Sequence, residues 1–130
     1  MIVTFTVDGD PQTKGSAKAF KHATTGRVVV MNDNPKCKAW ASAVGWKARI
    51  AMGATPIAVG PVRVEALFTL PRPRTSKLAA PRLDVDKLIR ALLDALTGIV
   101  YRDDAQVVEV VGRKMWGRAG ARVTVTEEQP

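Results

Sequence analysis

The chain has 130 residues, 46% of them apolar, enough for one hydrophobic core and short for two domains. Twenty Lys and Arg against twelve Asp and Glu leave a net charge of +8, so the surface attracts polyanions, with nucleic acid the usual one. No apolar run is long enough to span a membrane, the opening MIVTFTVDGD is not built like a signal peptide, and the single cysteine, Cys37, excludes an internal disulfide.

Residues 2–7, IVTFTV, are β-branched and aromatic and predict a strand, ended by the turn chemistry of Asp8-Gly9-Asp10-Pro11. Residues 12–26 carry Lys14, Lys18, Lys21 and His22 among small polar residues, a basic loop that forms the first arm of a hairpin. Its second arm is 27–31, RVVVM. Asn32-Asp33-Asn34-Pro35 reads as a helix start, and Ala39, Trp40, Ala43, Val44, Trp46, Ala48, Ile50 and Ala51 predict a helix over 36–52 with a broad buried face, stopped by Gly53. Residues 61–70 alternate as a strand.

The segment 71–83, PRPRTSKLAAPRL, holds three prolines, three arginines and Lys77, so it predicts a mobile basic arm without regular structure. Residues 84–97 form the clearest helix, with Val85, Leu88, Ala91, Leu92 and Ala95 on one face and Gly98 closing it. A strand over 105–111, extendable to 116, a turn at 117–120 and a strand over 121–126 complete the chain. The order β-β-β-α-β-α-β-β predicts a single α+β domain over 1–130: two layers, a mixed sheet with two helices on one face.

Five of the twelve acids, Asp84, Asp86, Asp94, Asp103 and Asp104, fall within 21 consecutive residues of an otherwise basic chain. A bound cation gives such a cluster a purpose. Asp84, Asp86 and Asp104 are the candidate metal ligands, and Mg²⁺ suits them because hard cations take oxygen ligands and keep waters for substrate. One histidine and one cysteine are too few for a zinc site, and a Ser-His-Asp or Cys-His nucleophile would depend on His22 alone, which reads instead as a basic-loop residue near phosphate. Each acid also has a plain structural role open to it. Asp84 and Asp86 can cap a helix, Asp103-Asp104 can form a turn, and Asp94 can pair with Arg90 one helical turn before it. Lys87 and Arg90 are either solvated helix charges or clamps on phosphate.

The stretch DVDKLIRALLDALTGIVYRDDAQV, residues 84–107, resembles the signature of the RusA family of Holliday junction resolvases: an Asp-x-Asp helix start, then Asp-Ala-Leu, then Asp-Asp-x-Gln-Val. The resemblance covers close to a fifth of the chain, and the element order agrees. It implies a small homodimeric α+β endonuclease, cytoplasmic in a bacterium or phage-infected host, that serves recombination and repair. Such a protein nicks two opposed strands of a four-way DNA junction symmetrically, with Mg²⁺ or with Mn²⁺ in its place. Asp84, Asp86 and Asp104 then correspond to the essential carboxylates. Arg90 stands where the family usually has a lysine, and Lys87 where an asparagine is common. Arginine stays protonated, so it clamps phosphate but does not readily shuttle a proton, and an electrostatic role is expected. Lys14, Lys18 and Lys21 in the loop and Arg72, Arg74, Lys77 and Arg82 in the arm are expected to track the DNA backbone. Two other readings are a nuclease of broader branched-DNA specificity and a basic binding module whose carboxylates only cap and turn.

Overall fold

The computed structural model describes residues 1–14, 17–21, 26, 28–32 and 36–128. Six strands and two helices follow in the predicted order: β1 (Ile2–Asp8), β2 (Ala17–Lys21), β3 (Val28–Asn32), α1 (Lys36–Met52), β4 (Val62–Leu70), α2 (Val85–Leu96), β5 (Val107–Trp116) and β6 (Gly120–Glu127). A single 3₁₀ turn, Asp104–Gln106, leads into β5. Asn32, the first residue of the predicted helix start, instead ends β3; the rest of that motif, 33–35, and His22 lie outside the described residues.

Four strands form one mixed sheet in the order β1-β6-β4-β5; β2 and β3 pair only with each other. The expected hairpin therefore forms, but as a separate ribbon. β6 lies antiparallel to both β1 and β4, whereas β4 and β5 run parallel. A parallel pair needs a long crossover, and α2 supplies it. Every second residue of β4 is buried, Val62, Val64, Ala66, Phe68 and Leu70, and these meet Val3, Phe5 and Val7 of β1 and Ala121, Val123 and Val125 of β6 in one core. Both helices cover this face, α2 through Leu88 and Leu92 of the predicted stripe and through Leu96, which that stripe left out.

α1 departs from expectation. Its buried stripe is Trp40, Val44, Ala48 and Met52, spaced four apart, while Trp46 and Ile50 stand 67% and 71% exposed. The helix carries apolar residues around most of its circumference, and the sheet can cover only one stripe. Position 46 lies two residues after 44, so it points away from whatever buries 44.

Two glycines fit where a side chain cannot. At Gly112 of β5 a Cβ would stand 2.4 Å from Ile89 Cδ1, so this glycine lets α2 lie close on the strand. At Gly120 a Cβ would meet the Val7 carbonyl oxygen at 2.7 Å, a backbone atom of the neighbouring strand that cannot rotate aside. Gly120→Ala is therefore expected to push β6 from β1 and cost about 1–3 kcal/mol, the usual penalty for forcing an extra carbon into a packed site. Urea unfolding measures it, and an unchanged midpoint would show that the strands part without cost.

Candidate active site

The crossover decides where the acidic residues go. Because β4 and β5 are parallel, α2 runs back against both, and its start lies at the far end of β5 from the turn that leads into that strand. Asp84 and Asp86 thus share the N-terminus of α2, while Asp104 stands at the other end of the crossover. Twelve helical residues at about 1.5 Å each separate the two groups by roughly 18 Å. Among the described residues no three His, Cys, Asp or Glu side chains lie together as a metal-binding group. The fold brings Asp84 and Asp86 together and leaves Asp104 apart.

Each carboxylate can be asked whether its structural role is filled. Asp84 occupies the N-cap of α2 (φ −68°, ψ 128°), yet its side chain makes no capping hydrogen bond; its neighbour is the Lys87 ammonium at 3.6 Å. Asp86 is exposed in the first helical turn, with no hydrogen bond or ion pair to a described residue. In the Asp103-Asp104 pair the two residues part company. Asp103 caps the 3₁₀ turn, its Oδ1 accepting from the Ala105 amide at 2.9 Å, and takes part in a capping box with Gln106. Asp104 is exposed and has no such partner among the described residues. Asp86 and Asp104 thus have no side-chain partner among the described residues and Asp84 has only the exposed Lys87, so the three form an all-oxygen donor set of the kind Mg²⁺ or Mn²⁺ accepts.

Side chains fix the segments on which these carboxylates ride. Lys114 of β5 reaches across to donate to the Pro81 and Leu83 carbonyls at 2.7 and 2.8 Å, clamping the chain immediately before Asp84. At the other end, Gln106 makes four hydrogen bonds. Its Oε1 accepts from the Arg102 and Asp103 amides, and its Nε2 donates to the Ala58 and Gly60 carbonyls, all at 2.9–3.0 Å. Tyr101 is fully buried and donates its hydroxyl to the Leu93 carbonyl at 2.7 Å. Burial first, and then the nearby Asp104 and Asp94 charges, push its pKa well above the ordinary phenol range, so the donor stays protonated.

The basic residues divide as well. Arg90 is exposed, and the expected pair with Asp94 does not form. Asp94 pairs instead with Lys14, whose amide also donates to the Lys87 carbonyl at 3.2 Å, stapling the N-terminal loop to α2. Spacing along the helix could not foresee a partner from another segment. Lys18 and Lys21 lie on β2, and their side chains fall outside the described residues. The arm 71–83 has no regular element, as predicted, but it is tied in place. Arg72 Nη2 and Trp116 Nε1 both donate to the Leu78 carbonyl at 2.9 Å, and the Arg72 guanidinium lies 5.8 Å from the centroid of the Trp116 ring. Arg74, Lys77 and Arg82 remain exposed or half-exposed along it. Sequence reasoning missed Lys114, Gln106 and Trp116 as positioning residues. Only Gln106 had a signal, its fixed place after the paired aspartates.

Gln106→Glu tests the turn beneath Asp104. The substitution keeps the acceptor and removes both amide donors, setting a carboxylate against the Ala58 and Gly60 carbonyls. Expected are a loss of about 1–3 kcal/mol in urea unfolding and faster hydrogen exchange at the Asp103 amide. Wild-type exchange there would remove Gln106 from the account.

Compared with known families, residues 8–127 match the family model described as Endodeoxyribonuclease RusA, nearly the whole chain and not the acidic stretch alone. A search of curated proteins gives no match.

Proposed function

The chain belongs to the RusA endodeoxyribonuclease family, and from that premise we propose that it is a Mg²⁺-dependent homodimer that resolves four-way DNA junctions by paired, symmetric nicks. The observation that carries this reading is the division of labour among the carboxylates: Asp103 is consumed by the fold, whereas Asp84, Asp86 and Asp104 are exposed, none of them held by a backbone amide and only Asp84 paired, with the exposed Lys87.

A second copy is needed on two grounds. β5 is an edge strand ten residues long, with Val108 58% and Val111 45% exposed, and such an edge is a template for pairing with another chain. The carboxylates also stand at opposite ends of the crossover. Antiparallel pairing of two β5 edges about a two-fold axis would bring Asp104 of the partner subunit towards the end of the sheet where Asp84 and Asp86 lie, and would do so twice. Mg²⁺ needs only one or two carboxylates beside its waters and substrate phosphates, so Asp84 and Asp86 with Asp104 of the partner subunit are a sufficient set. When bound, the cation supplies charge neutralisation at the scissile phosphate and activation of the attacking water.

The protein's own cations do the rest. Arg90 lies on the exposed side of α2 with no carboxylate holding it among the described residues, and Lys87 is one turn closer to Asp84. In this reading both hold oxygens of a phosphate whose charge grows during attack. Arg72, Arg74, Lys77 and Arg82 carry the flanking backbone, with Lys18 and Lys21 on the loop side, while Lys14, expected there too, is held by Asp94. No helix among the described residues is long and apolar enough to cross a membrane.

Two experiments follow. A labelled four-way junction, a duplex and a flap are incubated with protein and either Mg²⁺ or EDTA. Paired nicks in the junction alone, and only with Mg²⁺, are expected. Asp84→Asn, Asp86→Asn and Asp104→Asn should each abolish cutting while the junction is still bound, and Asp103→Asn should cut but melt earlier. Near-normal cutting by the Asp86 variant would remove that residue from the site. For Arg90, single-turnover rates are expected to fall roughly 10²–10³-fold in Arg90→Ala and to stay substantial in Arg90→Lys, because a point charge replaces a forked one. An alanine variant at the wild-type rate would hand the clamp to Lys87 alone.

A further inference from the structure

An open cavity lies between the arm and Trp116 of β5, with Arg82, two residues before Asp84, in its wall. It measures about 580 Å³ and is walled by Trp116, Leu78, Lys77, Arg82, Thr75 and Ser76, with Pro73 at its rim. That volume is in the range of small-ligand sites. Its chemistry is two-sided: an indole and a leucine offer apolar surface, two cations and two hydroxyls offer hydrogen bonds to an anion, and no carboxylate faces it. A planar ring joined to a phosphate matches such a lining, since bases stack on aromatic side chains and phosphates take Lys and Arg.

The pocket is built before any ligand arrives. Trp116 cannot turn freely, because its Nε1 donates to the Leu78 carbonyl, and Arg72 shares that carbonyl and lies over the indole. Arg82 is two residues ahead of Asp84, on the stretch that Lys114 clamps through the Pro81 and Leu83 carbonyls. A nucleotide seated here would therefore hold its neighbouring phosphate near the N-terminus of α2.

We propose that the Trp116 pocket receives one unstacked nucleotide from the crossover of branched DNA, its base against the indole and its phosphate on Lys77 and Arg82. The proposal rests on the junction-cutting reading above and deepens it. Extrusion costs least where stacking is already broken, so the pocket favours a branch point over a continuous duplex without reading sequence.

The test is photo-cross-linking with 5-iodouracil placed singly along a four-way junction, using the full-length protein in EDTA so that the DNA stays intact. Cross-links are expected at Trp116, mapped by peptide mass, and only from positions within a nucleotide or two of the crossover. Trp116→Leu should lose them and lower the junction-to-duplex affinity ratio roughly 10-fold, about the worth of one base stack. Trp116→Phe keeps an aromatic face and should retain most of the ratio. Lys77→Ala with Arg82→Ala should reduce cross-linking yield at the same position. The wild-type map does not depend on any variant folding. A junction that binds normally but cross-links elsewhere, or a Trp116→Leu protein with the wild-type affinity ratio, would overturn the pocket and leave the nuclease reading standing. A wild-type protein that binds no junction at all would overturn both.

Discussion

Two parallel strands cannot be joined by a tight turn, because the chain must return to the end from which it started before the second strand can begin. In this protein β4 and β5 are such a pair, and the constraint organises everything that bears on function. The return is made by α2, whose apolar stripe of Leu88, Leu92 and Leu96 seals the core on the way. It also separates the acidic residues into two groups, one at each end of the helix. The segments leaving and entering the crossover, 71–83 and 97–106, lie outside the strands of the sheet. Long side chains fix each of them, Lys114, Arg72 and Trp116 at one end and Gln106 and Tyr101 at the other, where the Ala58 amide also donates to the Val100 carbonyl.

That arrangement explains how a chain with a large excess of positive charge tolerates a run of exposed aspartates. Asp94 is neutralised by Lys14, and Asp103 is spent on backbone amides. The remaining three face solvent, Asp84 beside Lys87 and the other two without a side-chain partner among the described residues, so their oxygens are open to an ion. The apolar edge of β5 fits the same picture. An exposed strand of this length is a liability in a monomer, and pairing with a second copy, as in the proposed dimer, would cover it.

Much of this was legible in the residues. The strict alternation of 121–126 and the helical spacing of Leu88, Ala91 and Leu92 fix which side chains point inward whatever they pack against, because those periods belong to the backbone itself. The acidic motif was legible as well, since six or more residue types stand at set separations and the family match extends over residues 8–127. Local rules failed where several partners competed for one group. Asp94 was within reach of Arg90 on its own helix, but the ammonium of Lys14, distant in sequence, took it. Trp46 and Ile50 carried an apolar signal as strong as that of Trp40, yet the sheet had room for one stripe of α1 only.

By itself, then, the sequence determined the elements, the inward faces, the basic surface and the identity of the acidic residues, all of which follow from short-range periodicity and residue chemistry. Tertiary structure decided the rest. It separated Asp104 from Asp84 by the length of a helix, chose Asp103 over Asp104 for the cap, and set Trp116 against the arm to form a pocket. The physical reason is common to all three. Spacing along a chain bounds how far apart two residues can be, but which of them meet depends on strand direction and on hydrogen bonds between segments distant in sequence.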